Sequence, residues 1–380
     1  MKLIRNAQVY SPTSLGIKDV LIAANKIIAI EDDLSHMTNE LTEVIDASGQ
    51  ILTPGFVDSL VHITGGGGEG GYATRTPEMH VDEAFIGGVT TVIGALGTDA
   101  ETRSLENLLA KTYGLEEQGL SAYCYTGSYH FPMVSITESV KRDIMLIEKF
   151  IGVGEVAIAD HRSSQMSVAE MARVASEARV GGMLAGKKGI VSIHVGDEPA
   201  KLSKLTRVVE QTDIPISQFY PTHINRNKAL LEAGFDYAKQ GGNLDFTTST
   251  TEQIIEQGET PAAKALAMAL AEGIDISQLT MSSDGNASLP TFDEHGQLIE
   301  LEVGRVSSLH QSMVDAVLVH QVPLALALAS ITKSPANILS LMQKGQIKVG
   351  NDADVNLLDA TTLAIKHVIA KGQSVTVIES

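Results

Sequence analysis

From residue 51 onward, short apolar runs alternate with longer helix-forming stretches, and this happens eight times. The runs are Ile51 to Val57, Thr90 to Leu96, Ala122 to Thr126, Phe150 to Val153, Ile190 to Val195, Ile216 to Tyr220, Leu244 to Thr247 and Leu279 to Ser282. They read as strands buried on both faces, as in a parallel sheet. Helical stretches lie between them at Met79 to Gly87, Ser104 to Glu117, Thr137 to Lys149, Val168 to Arg179, Leu202 to Gln211, Asn227 to Gln240 and Thr260 to Glu272. Leu309 to Val319 follows the eighth run. Eight strands with intervening helices predict an α/β fold, a (β/α)8 TIM-type barrel whose functional residues gather at the C-terminal ends of the strands.

The two ends of the chain have a different rhythm. Leu3 to Val9, Asp19 to Ala23, Lys26 to Ile30 and Glu43 to Asp46 are brief β-favouring runs separated by turn signals. The same rhythm returns at Gly345 to Gly350, Ala353 to Asp359 and Ile365 to Val375. The expected organisation is a small β-sandwich-like domain from residues 1–57 plus 340–380, around a barrel spanning 58–339.

Charge narrows the partners. With 28 Lys and Arg against 46 Asp and Glu, the net charge of −18 argues against nucleic acid or an anionic membrane, which need clustered cations. The single Cys124 cannot form an intramolecular disulfide, which suits a reducing compartment. No apolar h-region follows Lys2 and Arg5, and the apolar segment Ala316 to Ile331 is broken by His320, Gln321 and Pro323. No signal peptide or transmembrane helix is expected, and the localisation reads as cytoplasmic.

Polar residues then cluster after the expected strands. His62 follows the first and leads into the loop Gly65 to Glu69, backbone without side chains that allows close main-chain approach to a metal or substrate. Thr98 follows the second strand, Tyr129 and His130 the third, and Glu155 then Asp160-His161-Arg162 the fourth. The fifth ends in His194 and Asp197, the sixth in His223 and Arg226, and the eighth in Asp284 and Ser288. Histidines, carboxylates and arginines converging on one barrel face point to a site.

Pro54-Gly55-Phe56-Val57-Asp58, the histidines of strands five and six, Asp284 and the closing Gly350-Asn351-Asp352-Ala353-Asp354 resemble the amidohydrolase superfamily. Gly65 to Glu69, Thr74 to Glu78, Leu96 to Asp99, Thr126 to His130, Asp160 to Ser163, Thr222 to Asn227 and Ser282 to Ser288 narrow the resemblance to its isoaspartyl, or β-aspartyl, dipeptidases. This implies metal-dependent hydrolysis of dipeptides linked through the aspartate side-chain carboxyl. It also implies that Gly67, Gly68, Glu69, Thr98, Tyr129, Arg162, Arg226 and Ser288 contact substrate, with Tyr129 steadying the oxyanion. The chemistry agrees: such a substrate has an ammonium for Glu69 and two carboxylates for arginines. Homo-oligomers, often octamers, are expected by the same resemblance.

Two departures from the family pattern bear on the metal. Its His-x-His motif reads Leu60-Val61-His62 here, and Glu155 stands where the family has a carbamylated lysine. Glu155, His194 and His223 supply three ligands for Zn²⁺, the usual number at a catalytic site. His62 and Asp284 remain of the second site. One tightly bound Zn²⁺ per chain is therefore expected, with the second site weak or empty and Asp284 acting as general base and acid.

Other readings stay open. The fold could serve a deacetylase or a cyclic amidase, although neither needs the charge set of Glu69, Arg162 and Arg226, or a binding protein without turnover. His36, His80, His295, His310, His320 and His367 read as structural or solvated residues without partners. Gly181 to Lys188 mimics a phosphate loop but lacks the Ser/Thr, and reads as a turn after a helix.

Overall fold

The computed structural model describes residues 1–292 and 298–375, so His295 and the last residues of the expected small domain lie outside the described residues. The chain begins with β1 (Lys2–Tyr10), β2 (Ser14–Ala23), β3 (Lys26–Glu31), β4 (Glu43–Asp46) and β5 (Gln50–Pro54). Eight short strands follow: β6 (Phe56–Val61), β7 (Val89–Gly94), β8 (Ser121–Thr126), β9 (Phe150–Ile158), β10 (Ile190–Val195), β11 (Phe219–Thr222), β12 (Leu244–Thr247) and β13 (Leu279–Ser282). A hairpin of β14 (Ser288–Phe292) and β15 (Leu298–Val303) precedes the closing strands β16 (Val355–Asp359), β17 (Ile365–Ala370) and β18 (Gln373–Val375).

The two chain ends build one sheet in the order β18-β17-β16-β5-β1-β2-β3, with β4 also paired to β1. Its core contains Ile4, Val9, Val20, Ile22, Leu52 and Val355. A buried lysine ties it to the barrel: Lys344 Nζ lies 2.8 Å from Asp352, 2.5 Å from Asp354 and 2.6 Å from Ser121 at the start of β8.

Strands β6 to β11 form a continuous parallel sheet, and β12 pairs in parallel with β13. Backbone bonds close the ring. His62 N donates to Gly285 O at 2.8 Å and Asp284 N to Leu60 O at 3.1 Å, joining the ends of the first and eighth barrel strands. On the other side Ile224 N donates to Asp245 O at 3.3 Å. The result is the expected TIM-type barrel with helices outside.

Four local expectations need correction. Ile51 to Val57 is two strands rather than one, because the chain changes sheets at Gly55. Gly55 N donates to Asp354 O in the small sheet, and Phe56 N donates to Gly88 O beside the barrel. The fourth barrel strand runs on through Ile158, which places Glu155 inside it and fully buried. The sixth strand starts only at Phe219, since Ile216–Gln218 forms a 3-10 turn. The helix beginning at Val168 continues to Ala185 and stops at Gly186, whose φ of 68° suits a left-handed cap. Gly181 and Gly182 lie within that helix because they are contact points: a Cβ would sit 2.9 Å from Lys141 O and 2.6 Å from Gly189 N, respectively.

Some histidines outside the site have partners after all. His80 caps the helix Val81–Ile86. His310 stacks on Phe56 at 5.9 Å and bonds to Leu363 O, and His367 bonds to Ser374. Inside the barrel a polar floor underlies the strand ends, where Asp245 accepts hydrogen bonds from Thr222, Thr280 and Ser282.

Candidate active site

The strand ends deliver a buried donor cluster. Glu155 lies in β9, His194 in β10, and His223 follows β11 with φ of 62°. Glu155 Oε2 is 3.2 Å from His194 Nδ1 and 3.1 Å from His223 Nε2. One ligand atom from each of the three lies within 4.8 Å of the others. Beside them His62 Nε2 is 3.1 Å from Asp284 Oδ1 and 3.7 Å from Glu155 Oε1. Asp284, like His223, has a positive φ, here 52°. Two non-glycine residues held in this region at one site indicate local strain that the surrounding barrel sustains.

Electrostatics sharpen the picture. Burial opposes the ionised form of Glu155, but the charges and hydrogen bonds of His194 and His223 hold its pKa well below the usual range. Burial, the His194 charge and Arg226 push His223 down to about 4, so its ring is neutral at ordinary pH. His62 goes the other way: burial is outweighed by the Asp284 carboxylate 3.1 Å away and by Glu155, giving about 9. Burial likewise disfavours the Asp284 carboxylate, and His62 keeps its pKa below the ordinary value.

This donor set fits a divalent cation. It offers an ionised carboxylate, a neutral imidazole, and a buried Glu155 Oε1 without a hydrogen-bond partner among the described residues. The outer nitrogens of two rings are held as metal-ligating histidines require. His194 Nε2 lies 3.0 Å from Asp160 Oδ2, and His223 Nδ1 lies 2.6 Å from Thr247 Oγ1. Leu60 adds nothing to this set; it is 2% exposed and packs in an apolar cluster with Val57, Ile93 and Tyr125.

Above the cluster is a cavity of about 620 Å³ whose wall includes His62, Gly67, Glu69, Thr98, Tyr129, Arg162, His194, His223, Arg226, Asp284 and Ser288. Gly68 is not part of that wall; with Gly67 it shapes the loop, at φ of 104° and 71°. Glu155 lies beneath the wall rather than in it. Glu69 is placed by its neighbours: Thr98 Oγ1 donates to it at 3.0 Å, Ser288 Oγ at 3.4 Å, and Arg162 Nη1 is 3.4 Å away.

The two arginines differ. Arg162 holds both Asp160 oxygens, through Nε at 3.0 Å and Nη2 at 2.7 Å, and its guanidinium lies 5.7 Å over the Tyr129 ring. Among the described residues Arg226 has no ion pair, and its buried Nε has no hydrogen-bond partner. It is the cation left for a ligand carboxylate. Tyr129 Oη is 2.7 Å from His194 Nδ1, and burial and the Glu155 charge raise its pKa well above 10.0, so it keeps its proton.

Several contributions have no counterpart in the sequence reading. Asp160 stands beside Arg162, but nothing in the sequence links it to His194, 34 positions away. Thr247 ends the seventh barrel strand, whose sequence holds no histidine or arginine to mark it. Glu259, in a loop after the seventh strand, also lines the cavity. His161, by contrast, has a side chain that is 82% exposed.

The family model for the amidohydrolase family matches residues 51–375. The structure is similar to a β-aspartyl dipeptidase of Fervidobacterium islandicum AW-1 solved in complex with the β-Asp-Leu dipeptide. Identity is 44%, the TM-score is 0.90, and 98% of this chain and 96% of that one are covered. A second structure of the dipeptidase from that organism gives 43% identity and a TM-score of 0.89 over 98% and 96%. A dihydroorotase of Elusimicrobium minutum is 36% identical over 108 residues, a stretch spanning 28% of this chain but only 24% of that protein.

Proposed function

The chain belongs to the amidohydrolase family, and from that premise we propose that it hydrolyses the isopeptide bond of β-aspartyl (isoaspartyl) dipeptides. The observation that carries this reading is the near full-length likeness, at 44% identity, to a dipeptidase holding β-Asp-Leu. The charges of the cavity agree with it. The substrate's ammonium pairs with Glu69, and the free Arg226 takes a carboxylate by charge-assisted hydrogen bonds. Arg162, already clamped by Asp160, orients Glu69 and adds positive potential for the second carboxylate. The backbone of Gly67 and Gly68, with Thr98 and Ser288, completes the binding surface. A deacetylase or cyclic amidase would have no use for this charge set, and a non-catalytic homologue would have no use for the general base beside it.

Glu155, His194 and His223 would hold one Zn²⁺, with His62 and Asp284 as the remnant of a second position. When bound, such an ion acidifies water and polarises the scissile carbonyl. Asp284, ionised and oriented by His62, takes the proton of the attacking water and delivers it to the leaving amine nitrogen as the C–N bond breaks. Tyr129 donates its phenolic hydrogen to the developing oxyanion.

The wider organisation belongs to the same reading: a small β domain of residues 1–55 with 340–380, and a catalytic barrel that begins with β6 at Phe56 and runs to 339. We place the protein in the cytoplasm, supported by its single cysteine, free and buried with its thiol pushed up to about 12. Among the described residues no helix is long and apolar enough to cross a membrane. A homo-oligomer is supported by exposed apolar side chains on neighbouring helices, with Leu146 61%, Met183 70% and Leu184 66% exposed. A dipeptide is the partner; nucleic acid and membranes do not suit the net charge of −18.

The test is isomer discrimination. Protein supplied with zinc should release leucine from β-Asp-Leu and leave α-Asp-Leu intact, because the α-peptide spaces its charges differently. Equal turnover of the two isomers would overturn the assignment.

A further inference from the structure

Resting on the dipeptidase reading, we infer that Glu259 is a specificity-determining residue that selects β-aspartyl dipeptides whose C-terminal residue carries a cationic side chain. Glu259 lines the same cavity as Arg226. The two are neighbours because the chain ties their segments together. Thr260 N donates to Asn225 O at 2.9 Å, and Asn225 Nδ2 donates back to Thr260 O at 2.9 Å.

Glu259 nevertheless makes no ion pair with Arg226, and its Oε1 is buried without a hydrogen-bond partner among the described residues. A buried carboxyl oxygen left in this state is costly unless a ligand supplies a donor. The ammonium of the substrate goes to Glu69, and its amide faces the Glu155 cluster. What remains is the side chain of the second residue.

Charge balance points to a cation. The charged groups acting on Glu259 are Arg226 and Asp284; burial, the largest influence, lifts its pKa to about 7, with Asp284 in the same direction and the Thr250 hydroxyl and Arg226 against it. Once a substrate carboxylate engages Arg226, that cation is neutralised, and Glu259 faces Asp284 alone. A lysine ammonium restores the balance. Its methylenes have an apolar neighbour in Ile254, which also lines the cavity and whose carbonyl accepts from Glu259 N at 3.3 Å.

The experiment compares kcat/KM for β-Asp-Lys and β-Asp-norleucine, which differ by the terminal ammonium. The wild-type protein should favour the lysine peptide by about tenfold, the scale of one partly buried charge pair. That preference should rise between pH 6 and pH 8 as Glu259 ionises. In Glu259→Gln the ratio should fall toward one, and Glu259→Lys should reverse it in favour of β-Asp-Glu. Equal turnover of the two peptides by the wild-type protein would overturn the inference while leaving the dipeptidase reading intact, and so would an unchanged ratio in Glu259→Gln. Turnover of neither, nor of β-Asp-Leu, would overturn both. The wild-type comparison stands even where a variant fails to fold.

Discussion

Asp160 Oδ2 lies 3.0 Å from Nε2 of His194, and this contact links the carboxylate clamping Arg162 to the ring whose Nδ1 faces Glu155. It fixes the orientation of the His194 ring and leaves Nδ1 facing the donor cluster. The anchor for the substrate-side arginine is thus also the anchor for a candidate ligand.

Replacing Asp160 should therefore affect both. Asp160→Asn should weaken metal affinity by about 10- to 100-fold, the range for outer partners of metal-bound histidines. It should also raise KM, since Arg162 loses its bidentate partner. Metal competition with a chromogenic chelator, alongside steady-state kinetics, reads the two effects. Unchanged metal affinity would show that the Asp160 contact is not needed to orient His194.

The metal content should be one ion per chain. Leu60 contributes hydrocarbon to an apolar cluster where a second site would need an imidazole. Elemental analysis of protein purified without chelator should return one equivalent, and Leu60→His should raise affinity for a second. Two equivalents in the wild-type protein, both required for turnover, would contradict this. Glu155→Gln should lose the first ion.

Arg226→Met should lower kcat/KM by about 2–4 kcal/mol of transition-state binding, the scale for deleting one member of a buried charge pair between enzyme and ligand. Its guanidinium has no ion pair among the described residues, so the loss should appear in kinetics with β-Asp-Leu and little in thermal stability. A large fall in melting temperature with unchanged kcat/KM would place its role in folding instead.

Metal-free protein should lose stability as pH rises toward 9. His62 is raised from 6.5 to about 9 by Asp284 and Glu155 against the opposing effect of burial. A group raised on folding stabilises fully below its unfolded pKa, and that contribution disappears as pH rises through the folded value. Melting temperatures of chelator-treated protein should thus fall between pH 6.5 and pH 9, and His62→Ala should flatten this part of the profile. His223, lowered to about 4, acts below this window.

The sequence by itself determined the barrel, because buried parallel strands and their covering helices leave a periodic apolar record that needs no knowledge of contacts. It also marked the strand-end histidines and carboxylates, since in this architecture position along the chain predicts position on one face. Tertiary structure decided what depends on pairing across that face. In the sequence Glu155 reads as a residue just past the fourth strand, and only the continuous β9 beside His194 and His223 buries it. The apolar run at residues 51–57 is broken by Pro54-Gly55, but which sheet lies on each side of that break is set by the bonds to Asp354 and Gly88, which come from distant segments. Glu69 and Arg162 were both legible as charges, but their 3.4 Å approach and the bidentate hold of Asp160 on Arg162 were not. Local periodicity encodes which faces are buried; which charges meet depends on distances that only the closed barrel fixes.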